Sequence, residues 1–378
     1  MRYGRYRRRR KKYKEAVLSL LFVSLAVLLV AAAYNLMNRP EAEYVFYSMA
    51  GVPETSEEET ARPPEDSPES FAYEYDGGYI HDGEAGGVRI TGYDGSKSIV
   101  RIPGEISGLP VVSVGDFAFR EETSLTIVII PDGVTSIGDA AFAGCAMLAE
   151  VIIPDSVTSI GNNAFNGCTS LKSVVIPDSV TSIGDRAFYD CRSLESVILP
   201  QNIKIIEKET FRGCRALPGI VIPDGVTGIG DAAFYDCRSL KSIALPDGLA
   251  VISYETFMGC SSLTDVTLPG SVTVIGSSAF SDCVSLKEIE IPEGVKNIRW
   301  RAFFNCSALT SASLPEGLLA IGGGINGGAF QRCSLLSVLN IPDSVTSIGD
   351  HAFNSCALLP DGTVRKILDI NPSAWSNH

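Results

Sequence analysis

Three histidines, His81, His351 and His378, are all that 378 residues provide. No Ser, Cys or Asp stands at a repeat-defined contact position to one of them, which removes the usual base from any acyl-transfer site. Basic residues are also scarce outside the N-terminus. Nine of the 31 Lys and Arg fall within residues 2–14, and beyond Glu15 the chain has 22 basic against 43 acidic residues, a net charge of −21. An acidic body repels a phosphate backbone, which argues against nucleic acid as a partner. Long apolar runs are rare too. Ala16–Leu36 holds 21 residues without a charge, whereas the apolar residues further on come in short, regularly spaced groups. No catalysis, cofactor or metal is expected from this composition.

What the chain has in abundance is one repeated unit. Pro131–Ile153 reads PDGVTSIGDAAFAGCAMLAEVII, Pro154–Ile176 reads PDSVTSIGNNAFNGCTSLKSVVI, and the prolines continue at 177, 200, 223, 246, 269, 292 and 315 on a strict 23-residue period. Pro342 follows after one longer block. A fixed period of this size marks a solenoid, whose units are each too small to bury an apolar face alone.

Spacing within the unit assigns its parts. Val151 and Ile153 share one face of a short strand, because side chains alternate with period two. Pro154 has no N–H for a ladder and ends it. Val134 and Ile137 carry apolar contacts through an extended stretch, Gly138 permits a corner, and Asp139 can cap a short helical turn containing Ala141 and Phe142. Two residues past each Phe stands Gly144, Gly167, Asp190, Gly213, Asp236, Gly259, Asp282 or Asn305, types that tolerate the left-handed conformation ending a helix. Phe142, Cys145 and Leu148 then point inward together.

All ten cysteines, from Cys145 to Cys356, hold the same repeat position. An even count can signal disulfides in an exported protein. Stacked helical turns, however, would hold these Cα atoms further apart than the ~7 Å a disulfide allows, and the spacing matches no zinc pattern. The expectation is a ladder of small, buried, unpaired groups. The aspartates after proline (Asp132, Asp155, Asp178, Asp224, Asp247, Asp343) recur by repetition and suit turns; a calcium ladder there would need several oxygens converging on one point. Gly322–Gly328 (GGGINGG) lacks the Lys and Ser/Thr of a P-loop and reads as a surface insertion.

In chain order, residues 1–15 form a basic cytoplasmic tip and 16–37 a single transmembrane helix, with the repeats outside. The competing reading is a signal peptide cleaved near Ala31-Ala32-Ala33, giving a secreted protein. Residues 38–70 are an acidic, Pro-rich stalk, since 41–70 hold nine acids and one Arg. Residues 71–102 suggest a capping hairpin, 103–359 the repeats, and 360–378 a C-terminal cap built on Val364, Ile367, Leu368 and Trp375.

Ile176–Pro200, IPDSVTSIGDRAFYDCRSLESVILP, resembles the leucine-rich repeats of the BspA-like bacterial surface-antigen type. The likeness spans about 88–359 and rests on eleven units marked by Phe119, Phe142, Phe165, Phe188, Phe211, Phe234, Phe257, Phe280, Phe303, Phe330 and Phe353. Glu207, Ser253 and Arg299 depart from it at the corner Gly, and Glu122 at the first Cys. It implies an α/β repeat solenoid: a right-handed leucine-rich-repeat stack of about eleven coils with a parallel sheet on one face. It also implies display at the cell surface and adhesion to a protein or to a surface or matrix ligand. The alternative function is a structural spacer of the cell envelope.

One surface stands out for binding. The strand residue between the two core-facing positions points outward, on the concave face. Along the chain it is Ile129, Ile152, Val175, Ile198 and Val221, then Ala244, Thr267, Glu290, Ser313 and Asn340. The first five predict an apolar stripe ~20 Å long, with Ser173, Ser196 and Gly219 leaving it open. β-branched residues also favour strands on their own account, but the later coils manage with polar residues there.

Overall fold

The computed structural model describes residues 65–76, 86–323 and 328–375. The expected basic tip, transmembrane helix and most of the stalk lie outside the described residues. Among the described residues no helix is long and apolar enough to cross a membrane. Residues 65–70, read from sequence as the end of the stalk, belong instead to the folded body. The Asp66 N–H donates to the Arg101 carbonyl at 3.0 Å, while its carboxylate accepts from the Arg101 N–H at 3.0 Å and pairs with Lys97. Asp66 is buried but satisfied, so it can sit against the first coil at little cost.

Most coils contribute two short parallel strands. A front strand follows the repeat Leu: Ile99–Arg101, Ile127–Ile129, Glu150–Ile152, Ser173–Val175, Ser196–Ile198 and onward to Val338–Leu339. A side strand precedes the corner: Ser136–Ile137, Ser159–Ile160, Ser182–Ile183 and onward to Ser347–Ile348. Pairing is in register at the repeat period, as in Ile137 with Ile160 and Ile160 with Ile183. The parallel pairing expected on one face therefore occupies two, each interrupted along the stack.

The helical turn after the corner does not form. The N–H groups of Ala140, Phe142 and Gly144 donate to the carbonyls of Asn162, Ala164 and Asn166 in the next coil at 2.7–2.8 Å. Alternate donors are thus spent between coils, and those between them close i→i−3 turns, as Ala143 does to Ala140 at 3.1 Å and Cys145 to Phe142 at 3.2 Å, so no i→i−4 helix forms. The result is a run of tight turns and a third backbone ladder, and the α/β assignment is corrected to a β-solenoid. The one α-helix among the described residues is α1 (Asp361–Ile370), beyond the last coil.

Inside, the eleven phenylalanines stack from Phe119 to Phe353 with ring centres 5.0–5.7 Å apart and planes within 2–17°. Each is fully buried, so one core runs through all coils. Both ends of the stack are covered. Strand Phe71–Tyr75 pairs antiparallel with Val88–Tyr93, which pairs parallel with the side strand Leu109–Val114. From that hairpin Tyr93 stacks on Phe119 at 5.4 Å, with Phe71 behind it at 5.3 Å. At the other end α1 buries Ile367, with Val364, Ile370 and Trp375 packed against the core.

The corner glycine answers to space rather than to φ. A Cβ on Gly138 would stand 2.5 Å from Asp116 Oδ1 and 2.6 Å from Asp116 N. Where Glu207 and Ser253 replace it, the side sheet breaks: Ile205–Ile206 pairs with Gly228–Ile229 alone, and a new ladder starts at Val251–Ile252. The Ser253 hydroxyl donates to the Ile229 carbonyl at 2.7 Å, the bond that a backbone N–H makes at Gly276. Arg299 keeps that N–H bond, to Ile275 at 3.1 Å.

Candidate binding surface

The front face carries the outward residues expected from sequence, with two corrections. Val175 and Ile198 are in register on paired strands and are 56% and 47% exposed. Ile152 is half-buried and belongs with them. Ile129 does not, being only 6% exposed. Its in-register neighbour is Arg101, a long side chain held at this edge by Glu65 at 3.7 Å, where the 65–70 segment packs. Val221 is half-buried and lies in no strand. Pro218 stands where neighbouring coils place Glu195 and Lys241, whose N–H groups bond back to Lys172 and Pro218; without an N–H it cannot continue the ladder.

The stripe therefore contracts to a patch centred on Val175 and Ile198, flanked by Ile152 and Val221. Ser173 and Ser196 beside it are half-buried and small. Further along the same face Ala244 is buried, Thr267 half-buried, and Glu290, Ser313 and Asn340 exposed. The side sheet adds a second apolar feature not read from sequence, with Ile205 and Val251 both exposed beyond a serine row at 136, 159 and 182. Its signal was present at the residue before each repeat Ile, but a two-residue strand gives too short an alternation to recognise.

The turn side is strongly charged and largely self-neutralised. Arg186 and Arg212 both pair with Glu209, Arg215 and Arg238 both pair with Asp236, Arg192 pairs with Asp190, and Arg120 with Glu121. Burial alone would raise the Glu209 carboxyl, but Arg186 and Arg212 outweigh it and hold it below its ordinary range. Arg212 also lies over the Tyr235 ring at 4.0 Å. Of these, Arg186–Glu209 and Arg215–Asp236 bridge neighbouring coils, while the others lie within one coil.

The cysteine ladder is equally inert. All ten thiols are free and buried. Burial pushes those of Cys145 and Cys356 up to about 12 and raises Cys168, Cys191, Cys214 and Cys237 as well. A thiol so far from ionisation is neither a nucleophile nor a metal ligand at neutral pH. Among the described residues no group of three or more His, Cys, Asp or Glu is arranged to hold a metal ion.

A family model described as the BspA type leucine rich repeat region (6 copies) matches residues 112–241, 227–360 and 323–378. The chain belongs to the BspA-type leucine-rich repeat family. Among solved BspA-like and other repeat structures, a leucine rich repeat protein of T. pallidum is 25% identical, covering 83% of this chain and 99% of its own, with a TM-score of 0.40. A leucine rich cell surface protein of Faecalibacterium prausnitzii is 28% identical over 73% of this chain and 94% of its own, with a TM-score of 0.40. The pneumococcal vaccine antigen PcpA is 16% identical over 81% and 95%, with a TM-score of 0.46. No curated protein sequence matches the chain.

Proposed function

We propose that this BspA-type repeat protein is a membrane-tethered, extracellular binding protein that holds a protein partner on the front face of its solenoid. The single observation behind the reading is the apolar patch of Val175 and Ile198, in register and about half exposed, flanked by Ile152. Exposed apolar surface of this kind more often serves contact than accident. Parallel strands at ~4.8 Å spacing present it as a rigid, flat platform, which suits a folded surface better than a small molecule. The tether rests on the nine basic residues of 2–14 followed by 21 uncharged residues.

The test is capture of cell-surface and matrix proteins by the full-length chain, repeated with Ile152, Val175 and Ile198 all changed to Thr. Thr keeps the β-branched shape while removing the apolar patch. Loss of capture with an unchanged fold supports the reading. Capture that survives the triple change and fails on changing Glu290 and Asn340 places the contact at the opposite end. For the tether, protease applied to intact cells should remove the repeats and spare the basic tip; a mature N-terminus near Tyr34 would mean cleavage.

A further inference from the structure

The pairing of arginines with carboxylates on the turn side stops at coils nine and ten. Arg299, Arg301 and Arg332 have no ion-pair partner among the described residues, whereas the six arginines of the earlier coils are each matched by an Asp or Glu. Aromatic rings stand in the place of the acids. The Arg301 guanidinium lies over Trp300 at 4.6 Å and over Phe304 at 4.8 Å, and Arg332 lies over the same Phe304 ring at 5.4 Å. Two cations are thus no further apart than the sum of their distances to one ring. They sit on a chain whose net charge is −13. Asp282 is engaged by Asn305 and Ser281, and Asp350 by Asn371.

A ring face holds a guanidinium by its flat side and leaves its N–H edges free, and those edges match a carboxylate in a two-point fork. The repeat itself shows what this surface takes as a partner: carboxylate, in all six neighbouring cases. We infer that Arg301 and Arg332, oriented by Trp300 and Phe304, form a binding site for an acidic peptide segment that supplies the missing carboxylates. In an extended peptide, side chains two residues apart lie ~6.5–7 Å from each other on one face, so one short segment can present more than one carboxylate to this surface. The site is separate from the front face, so it stands or falls independently of the proposed contact there.

The backbone supplies a clean variant. Arg301 and Arg332 have φ of 52° and 65°, and the same repeat positions hold Asn163 at 55° and Asn305 at 56°. Asn therefore fits both turns, and Arg301→Asn with Arg332→Asn removes the cations without straining the coil. The full-length protein is titrated with a glutamate-rich peptide, with a sulfated oligosaccharide of equal charge and with inorganic phosphate. Heat of binding and tryptophan emission are read together, since Trp300 is one of two tryptophans. The expected result is peptide binding at low salt that perturbs tryptophan emission and weakens at least tenfold in the double variant. Arg192→Asn with Arg215→Asn, which touches only paired arginines, leaves it unchanged. Three results would overturn the inference: no peptide binding, peptide binding indifferent to the double variant, or preference for the sulfated sugar or phosphate over the peptide.

Discussion

The Sγ of Cys214 lies 3.2 Å from the carbonyl oxygen of Phe188, one coil back, and donates its hydrogen to it. The same bond recurs from Cys145 with Phe119 to Cys356 with Phe330. Every thiol points the same way along the stack, so neighbours follow one another and do not face one another. Unpaired cysteines accord with this orientation, and the helical turns expected from sequence to keep them apart do not form.

That ladder makes the protein sensitive to alkali. Burial raises the folded-state thiols of Cys145, Cys168, Cys191, Cys214, Cys237, Cys260, Cys283, Cys333 and Cys356 above an unfolded value of ~8.5. Sign and window follow: the stability is fully present below pH ~8.5 and is lost as the pH rises toward the folded values, about 12 for Cys145 and Cys356. Between those limits each such thiol removes about 1.4 kcal/mol per pH unit. Thermal melting followed from pH 7 to 11 should show a steep fall beginning near pH 8.5. Alkylation without reductant should modify ten cysteines in denaturant and essentially none in the native protein; fewer than ten after unfolding would contradict the free ladder.

Phe188 stacks on Phe165 at 5.3 Å and on Phe211 at 5.7 Å and is fully buried. Phe188→Ala should cost ~3–5 kcal/mol through lost transfer and an unfilled cavity. Contacts run only between adjacent coils, so hydrogen exchange should rise first at coils carrying Phe165 and Phe211. Unchanged denaturant stability would contradict the shared core.

Gly138→Ala and Gly270→Ala should differ sharply. The first puts a Cβ 2.6 Å from the Asp116 backbone nitrogen, which cannot move without separating two coils; the second meets nothing within 4 Å. Overpacking at 138 should cost ~1–3 kcal/mol, while the change at 270 should be neutral or slightly stabilising through the unfolded chain. Equal melting temperatures for the two variants would remove close approach as the reason for the corner glycine.

Changing Ile152, Val175 and Ile198 together to Thr should leave the melting temperature within a few degrees of the parent, because Val175 and Ile198 are about half exposed, Ile152 is only half-buried, and Thr keeps the strand preference. Circular dichroism melts check this directly. A large loss of stability would mean that the patch is structural support.

Much of the solenoid was readable because a 23-residue period forces equivalent positions into equivalent contacts. Phe142, Cys145 and Leu148 all reach the core as their spacing requires, and the left-handed turn positions Gly144, Asp190 and Asn305 have φ of 79°, 54° and 56°. The second left-handed position was not readable. Ala140, Arg186 and Glu209 adopt φ of 52°, 57° and 55°, though none is a residue type that favours it. Their N–H groups reach the next coil's carbonyls, so the neighbour pays the strain that the residue alone would refuse.

The binding patch shows the same division. Alternation alone was enough to turn Val175 and Ile198 outward, since period two leaves no other face. It could not show that Ile129 lies beneath the edge guarded by Arg101 and Glu65, or that Pro218 would take Val221 out of the sheet. By itself the sequence determined the repeat, the core residues and the direction of each side chain, because those depend on spacing along one coil. Only the tertiary structure decided that the turns would not become helices, that strands would pair on two faces, and which outward residues stay exposed. Those outcomes depend on backbone groups of different coils meeting in space, and an N–H that finds its acceptor one coil away is no longer available to the local structure its own sequence would suggest.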